Sequence, residues 1–277
     1  MMMALVSSRL REIARETVAI AERGSYRTTP GDDVIIDNKV ARAVADTRLY
    51  QPADVLPAPT SVSGRSTVEI ANESSLAATR RLGGDIACLV FASARNPGGG
   101  FLNGAQAQEE SLARGSGLHP CLRAAGDFYG RHRADPNLTY SDRVIYSPAV
   151  PVFRDDNGAL LPTPYPVSFL TAAAPNRAAI LRNQPEHAGR IPAVLLRRAT
   201  RIFEVAAAHG HRRLVLGAWG CGVFGNDPST VAGAFAGLLT AGGPFVDSFE
   251  HVVFAIMDND PIPAGAFRMA FAPATPR

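Results

Sequence analysis

Lysine occurs once in this chain of 277 residues, at Lys39, although Lys and Arg together number 28. Chemistry that needs an amine, a Schiff base or a phosphate-loop lysine, has that one candidate, and it stands far from the Gly-rich stretches. Cysteine is also scarce. Cys88, Cys121 and Cys221 are widely spaced with no C-x-x-C pair, which excludes a disulfide framework and a zinc site of the usual spacing. Cys88 lies in an apolar run and Cys221 in a Gly-rich loop, so both read as small packing residues. Neither sign of charge dominates: a net +3 is too small to select nucleic acid by bulk electrostatics, and no sequence-specific nucleic-acid partner is expected. No apolar stretch approaches a membrane span, and Met1 to Leu5 lead into charges with no signal-peptide core, so a soluble cytoplasmic chain is the expectation.

Hydrophobic residues make up 46% of the chain, ample for one large α/β domain or two small ones. Over residues 3–23, Leu5, Leu10, Ile13, Val18 and Ile20 recur among charges until Gly24, which predicts a helix packed on the body. Residues 25–66 carry Pro30, Pro52, Pro57 and Pro59 and one short apolar piece at 34–36, and read as a cap. The expected division is thus an N-terminal helical extension, residues 1–66, and a core, residues 67–277. In the core the pattern alternates. Strands are expected at 67–71, 85–91, 144–147, 167–171, 214–218 and 251–257, with helices at 74–82, 118–132, 191–209 and 228–241. Residues 150–166 read as a Pro-rich excursion and the stretch after Pro261 as a loose tail. Such alternation indicates an α/β sandwich. His209-Gly210-His211 has metal-like spacing but no acidic or Cys partner in sequence, so a helix-end or surface role is expected.

The stretch that stands apart is 96–117, NPGGGFLNGAQAQEESLARGSG, which follows the apolar run 86–92 directly. Three glycines in a row cost conformational entropy for nothing in an ordinary turn, but they let a backbone approach a ligand. Seven residues later Gln108-Glu109-Glu110 opens a helical run. Neighbouring glutamates sit about 100° apart on a helix, so only one should point at a given atom: one acid, one helper. A nucleotidase phosphate loop needs G-x-x-x-x-G-K-[ST], and the Lys and hydroxyl are missing. Dinucleotide spacing, G-x-G-x-x-G, is absent as well, so no nicotinamide cofactor is implied.

Gly98-Gly99-Gly100, a seven-residue spacer and Gln108-Glu109-Glu110 resemble the signature of the bacterial-type poly(ADP-ribose) glycohydrolases, a branch of the macrodomain superfamily. The resemblance extends over about residues 34–260 through Ala174-Pro175-Asn176, the run from Gly217 to Pro228 and Phe254-Ala255-Ile256. It implies a three-layer α/β/α macrodomain with a mixed central sheet, acting on poly(ADP-ribose) or ADP-ribosylated proteins, as a monomer and without cofactor or metal. By the same resemblance Glu110 is the general acid and base and Glu109 holds substrate hydroxyls. Asn96, Gly98, Gly99 and Gly100 would line the ribose being cleaved, Phe224 would press against it, Gln108 is a further substrate contact, and Asn176 is a turn former or a ribose contact. Glu73 and Ile256 are candidate adenine contacts.

The second Gly-rich loop, residues 217–225, falls between a strand and a helix, where open α/β sheets bind ligands. Gly220, Gly222, Val223, Phe224, Gly225 and Asn226 are its candidate contacts. Several glycines can turn N–H groups toward one anion. Asp227-Pro228 reads as an N-cap and first-turn proline, so a diphosphate is expected on the amides of residues 222–225 and not at the helix end. Two other functions use the same loops: a non-catalytic ADP-ribose-binding macrodomain, which has no use for paired glutamates, and a hydrolase removing single ADP-ribose groups from proteins. A purely structural α/β domain would need neither loop.

Overall fold

The computed structural model describes residues 2–29, 31–61, 66–257 and 261–272. Pro30 and residues 62–65 of the expected cap, and residues 273–277 of the expected tail, lie outside them.

Helix α1 (Met2–Arg23) ends at Gly24, and a two-stranded antiparallel ribbon follows, β1 (Ser25–Arg27) with β2 (Asp33–Ile35). Helix α2 (Asp37–Ala45) leads to a short strand, β3 (Arg48–Tyr50). The N-terminal region is tied to the rest by buried polar contacts. Thr17 Oγ1 donates to the Arg114 carbonyl at 2.8 Å, and Arg154 donates to Thr17 Oγ1 at 3.0 Å and to Glu16 at 2.7 Å.

From there strand and helix alternate: β4 (Thr67–Ala71), α3 (Ser75–Leu82), β5 (Ile86–Phe91), then α4 (Gln108–Gly115), α5 (Leu118–Ala124) and α6 (Gly126–Ala134). A long hairpin, β6 (Val144–Arg154) and β7 (Leu160–Ala172), precedes α7 (Arg177–Asn183) and α8 (Ile191–Ala208), and β8 (Arg213–Leu216), α9 (Pro228–Leu239), β9 (His251–Ala255) and α10 (Pro261–Ala270) complete the chain. Seven strands form one mixed sheet in the order β3-β6-β7-β5-β8-β9-β4. The five from β7 to β4 run parallel, and β6 and β3 are antiparallel to their neighbours.

Alternate strand residues face opposite layers, as the period of two requires. Leu89, Leu170, Leu214, Val252 and Phe254 pack under α7 to α10 with Phe203, Phe235 and Phe267, while Cys88, Val90, Phe169, Val215 and Val253 pack against α3 to α6 with Leu76, Leu112, Leu122 and Phe128. The expected three-layer α/β/α arrangement is therefore present.

Three elements differ from the sequence expectation. Residues 150–166 are not an excursion but the outer halves of β6 and β7. Pro162, Pro164 and Pro166 share one edge of β7, which meets β5 only from Ser168 onward, and Pro151 faces Pro166, so no missing N–H interrupts a ladder. The stretch from Pro261 to Ala270 is helical, its prolines in the first turn where N–H groups have no helical partner, and Ala264 and Phe267 are buried. The region before residue 67 supplies an edge strand of the main sheet through the β3–β6 pairing. His209 and His211 are placed by tyrosines: His209 bonds the Tyr50 hydroxyl at 2.7 Å and stacks on Tyr146, whose hydroxyl bonds His211 at 2.8 Å.

Phe235 is fully buried and within 6.5 Å, ring to ring, of Phe203, Trp219, Phe254 and Phe267. Phe235→Ala should lower unfolding stability by about 3–5 kcal/mol. Denaturant titration measures it; a loss under about 1 kcal/mol would mean that the cluster collapses into the gap.

Candidate active site

After β5 the chain turns to β6 and β7 on one side of it, and after β7 it returns to β8 on the other side. The loops leaving the carboxyl ends of β5 and β8 therefore diverge from neighbouring strands, and a crevice opens between them. The loop after β7 borders the same end because β7 is the other neighbour of β5.

In the loop after β5, Gly99 N–H donates to the Asn96 carbonyl at 3.0 Å and Phe101 N–H to Gly98 at 3.3 Å, and a short 3-10 turn, Phe101–Asn103, follows. Phe101 is buried among Ala14 of α1 and Ala113 of α4. Arg114 closes the loop by donating to the Ala105 carbonyl at 2.6 Å. At the first turn of α4, Gln108 accepts from Phe91 N–H at 2.9 Å and donates to the Leu89 carbonyl at 2.7 Å and Ser75 Oγ at 3.0 Å. Its amide thus anchors the helix to the end of β5.

The two glutamates accept backbone N–H groups from the start and the middle of that loop. Glu109 Oε2 accepts from Ser93 N–H at 2.6 Å, and Glu110 Oε1 accepts from Gly100 N–H at 3.0 Å. Contrary to the one-acid expectation from helix geometry, both carboxyls converge on Gly99. A Cβ at Gly99 would overlap Glu110 Oε1 and lie 3.0 Å from Glu109 Oε2, and its φ of 59° is left-handed. Absence of a side chain there is what lets the loop close over both acids.

Burial separates the two acids. Glu109 is 3% exposed, and desolvation, aided by the nearby charge of Glu110, raises its proton affinity well above the ordinary value against the opposing N–H groups of Ser93 and Gly98. Its Oε1 is buried without a hydrogen-bond partner among the described residues. Glu110 is only half-buried and faces a cavity of about 210 Å³.

The opposite wall is the loop after β8. Trp219 is buried and donates from its ring to the Ala172 carbonyl at 3.0 Å. Asn226, 2% exposed, donates to the carbonyls of Pro175 at 2.8 Å and Gly220 at 3.0 Å, and Phe224 accepts from Ala178 N–H at 2.9 Å. Asn226 is thus a staple that shapes the loop. Val223 is 87% exposed at the rim, and a Cβ added to Gly222 would meet nothing within 4 Å. Asp227 caps α9 through Thr230 N–H at 2.7 Å, as expected, with Pro228 in the first turn.

Of the candidates from sequence, Gln108, Glu109, Glu110, Gly220, Gly222, Val223 and Phe224 line the cavity, together with Ala174 and Trp219 of the resembling segments and with Phe91, Ala92, Ser93 and Ala107, which the sequence had not singled out. Gly98, Gly99 and Gly100 are not among the lining residues; they meet the acids, Gly100 through its N–H to Glu110 and Gly98 through its backbone to Glu109. Asn96 is exposed at the start of the loop, and Asn176 caps α7 through Ala179 N–H at 3.0 Å. Gly225 has a φ of 64° beside Ala178. Asn96, Asn176, Gly225 and Asn226 are not part of the cavity lining, and Glu73 and Ile256 are not either. Glu73 is ion-paired with Arg81, and Ile256 is a core residue whose N–H donates to the Ala71 carbonyl at 2.9 Å. A larger hollow of about 770 Å³, between α2 and the β6–β7 hairpin, holds Lys39 and Arg42 among prolines and carries none of this chemistry.

Residues 14–155 match the family model described as microbial-type PARG, catalytic domain. A solved structure of the poly(ADP-ribose) glycohydrolase (PARG) from Thermomonospora curvata is 52% identical, with a TM-score of 0.90, over 95% of this chain and 100% of that one. The same enzyme bound to the inhibitor ADP-HPD is 51% identical over 95% of this chain and all of that one, TM-score 0.86. The Deinococcus radiodurans PARG in complex with ADP-ribose is 44% identical over 84% of this chain and 97% of that one, TM-score 0.78. The chain belongs to the microbial-type PARG family. No curated protein matches it at the level of sequence search. The family model spans the first loop and both glutamates, whereas the second loop is supported by the whole-chain likeness to PARG structures.

Ser93 could not be found from sequence, since it acts through its backbone, and Tyr129 carries no motif. The Tyr129 hydroxyl is buried without a hydrogen-bond partner among the described residues, and burial raises its proton affinity.

Two predictions follow from this PARG geometry. Folded Glu109 retains its proton above the ordinary value of 4.5, where the unfolded chain releases it, so its contribution to stability is full below 4.5 and is lost as the pH rises. Glu109→Gln should therefore become increasingly more stable than the parent as pH rises from 4.5, and parallel melting curves at all pH values would refute this. In the second loop, Gly222→Val should fold normally yet lose ligand affinity, because its side chain enters open cleft; Gly225→Val should lose stability because of its left-handed φ. Thermal melts beside calorimetric titration with ADP-ribose separate these effects.

Proposed function

We propose that this protein hydrolyses the ribose–ribose O-glycosidic bonds of poly(ADP-ribose) and releases ADP-ribose. Family membership supports the reaction, and the ADP-ribose and ADP-HPD complexes of the related PARG structures support the ligand class. The single observation that carries the mechanism is the convergence of two unequally buried carboxyls on Gly99.

Glu110, facing the cleft, protonates the glycosidic oxygen as the C1–O bond breaks and positive charge develops at the ribose carbon. The leaving ribose departs with a hydroxyl. Glu110, now a carboxylate, then takes a proton from a water that attacks the same carbon, which restores the acid. Glu109, which also lines the cavity, holds ribose hydroxyls. Asn96 and Gly98 to Gly100 surround that ribose, Phe224 presses on it, and the amides around Gly222 and Gly225 receive the diphosphate. Adenine lies toward the ends of β4 and β9, near Glu73 and Ile256. Residues 67–277 act as the catalytic core with residues 1–66 as its buttress, in a cytoplasmic monomer. No helix among the described residues is long and apolar enough to cross a membrane.

Incubation with poly(ADP-ribose) should release free ADP-ribose. Glu110→Gln should lower that turnover by about 10²–10⁴-fold and leave ADP-ribose affinity within a few-fold of the parent. Turnover at the parent rate in this variant would remove Glu110 from the mechanism, and ADP-ribose binding without any turnover by the parent would favour a binding macrodomain.

A further inference from the structure

A glycosidase must hold both halves of the bond it cuts, and the cleft between the two Gly-rich loops accounts for only one. Given the proposed activity, the other half begins at the leaving oxygen, on a ribose that also bears an adenine and a diphosphate. Its site requires a flat apolar surface and cations within reach of Phe224, and the aromatic chain Phe224–Tyr140–His132 leads from the cleft to a separate basic hollow.

Tyr140 has a left-handed backbone, φ 58°, which a bulky residue rarely adopts. Among the described non-glycine residues only Ala149 shares a positive φ, and it sits in the β-bulge between Ser147 and Val150. Tyr140 instead closes the turn that begins at Asn137. Its surroundings hold it in place from every side. Tyr140 N–H donates to the Asn137 carbonyl at 3.2 Å, and the wholly buried Arg198 donates to the Thr139 carbonyl at 3.0 Å and to Asp142 at 3.1 Å. Ser141 bonds His132 Nε2 through both its hydroxyl, at 2.7 Å, and its N–H, at 3.1 Å. Strain kept by so many contacts marks a position where a side chain has to be aimed. The ring is half-buried, 6.1 Å from Phe224 and 5.6 Å from His132, and its hydroxyl makes no hydrogen bond among the described residues.

Beside His132 lies a second hollow, of about 440 Å³, lined by Arg131, Ser141 and Arg143, with Asp135 the one acid. Arg131 is largely exposed and 3.8 Å from Asp127; Arg143 is hydrogen-bonded to neutral Gln51 at 2.8 Å. The hollow is held against the catalytic loop by Arg133, which donates to the Arg95 carbonyl, next to Asn96, at 2.6 Å.

We infer that Tyr140 and the Arg131–Arg143 hollow form the subsite for the ADP-ribose unit on the leaving side of the bond, with adenine stacked on the Tyr140 ring and the diphosphate between the two guanidinium groups. A base on an aromatic face and phosphates on arginines are the contacts that single-stranded polyanions make elsewhere.

The test compares poly(ADP-ribose) with ADP-ribose as ligands for the full chain carrying Glu110→Gln, so that turnover plays no part. The polymer should bind more tightly than the monomer. Tyr140→Gly, which suits the left-handed backbone, should remove about tenfold or more of that preference, and Tyr140→Phe should retain it. Arg131→Ala with Arg143→Ala should remove it at low salt and have little effect at high salt. Monomer affinity should stay unchanged throughout. In the active enzyme the same variants should raise KM for the polymer with little change in kcat. Equal affinity of polymer and monomer, a preference that survives Tyr140→Gly, or a parallel loss of monomer affinity would each overturn the subsite. Lack of turnover by the parent would overturn the proposed reaction and leave this binding comparison intact.

Discussion

Everything in the catalytic cleft depends on the bare α-carbon of Gly99. Two carboxyl groups from one helix turn meet there, each accepting a backbone N–H from a different part of the same loop. Any side chain at that position would push the loop away from the acids and break at least one of these bonds. The glycine therefore serves the chemistry by letting peptide groups approach carboxyl oxygens, and this explains why a Gly-rich loop and a Glu pair belong together.

Around that contact the structure is built to resist movement. Gln108 fastens the helix to the end of β5, Arg114 fastens the loop to the helix, and Thr17 and Arg154 carry the restraint out to α1. The opposite wall has its own staple in Asn226. Such preorganisation matters in glycoside hydrolysis, where the proton donor must already be placed when charge develops at the ribose carbon. The exposed rim of Val223 and the open space before Gly222 are the parts left free for a ligand.

Difference in burial, not in residue type, divides the glutamates. Glu109 is enclosed and favours its proton; Glu110 faces the cavity. Adjacent identical residues can thus take different roles because one is enclosed and the other half-exposed at the same point of the loop. The strained Tyr140 shows the same economy of means on the flank: Arg198, His132 and Asn137 hold a backbone that the tyrosine alone would not choose.

Sequence by itself determined the α/β alternation, the two loops at strand ends, the paired acids and the Asp227 cap, because each rests on local rules: period of apolar residues, glycine content, capping chemistry. The resemblance carried by Gly98 to Glu110 also named the family. Tertiary structure alone decided what depended on distant partners. Prolines at 162, 164 and 166 lie in a strand because that edge has no neighbour to bond. Gln108 and Asn226, expected at the ligand, direct their amides into the protein because carbonyls from β5 and from the loops at Pro175 and Gly220 lie within reach. Whether Glu109 and Glu110 met at one point was settled by the path of the loop over the helix, which no spacing in the sequence encodes.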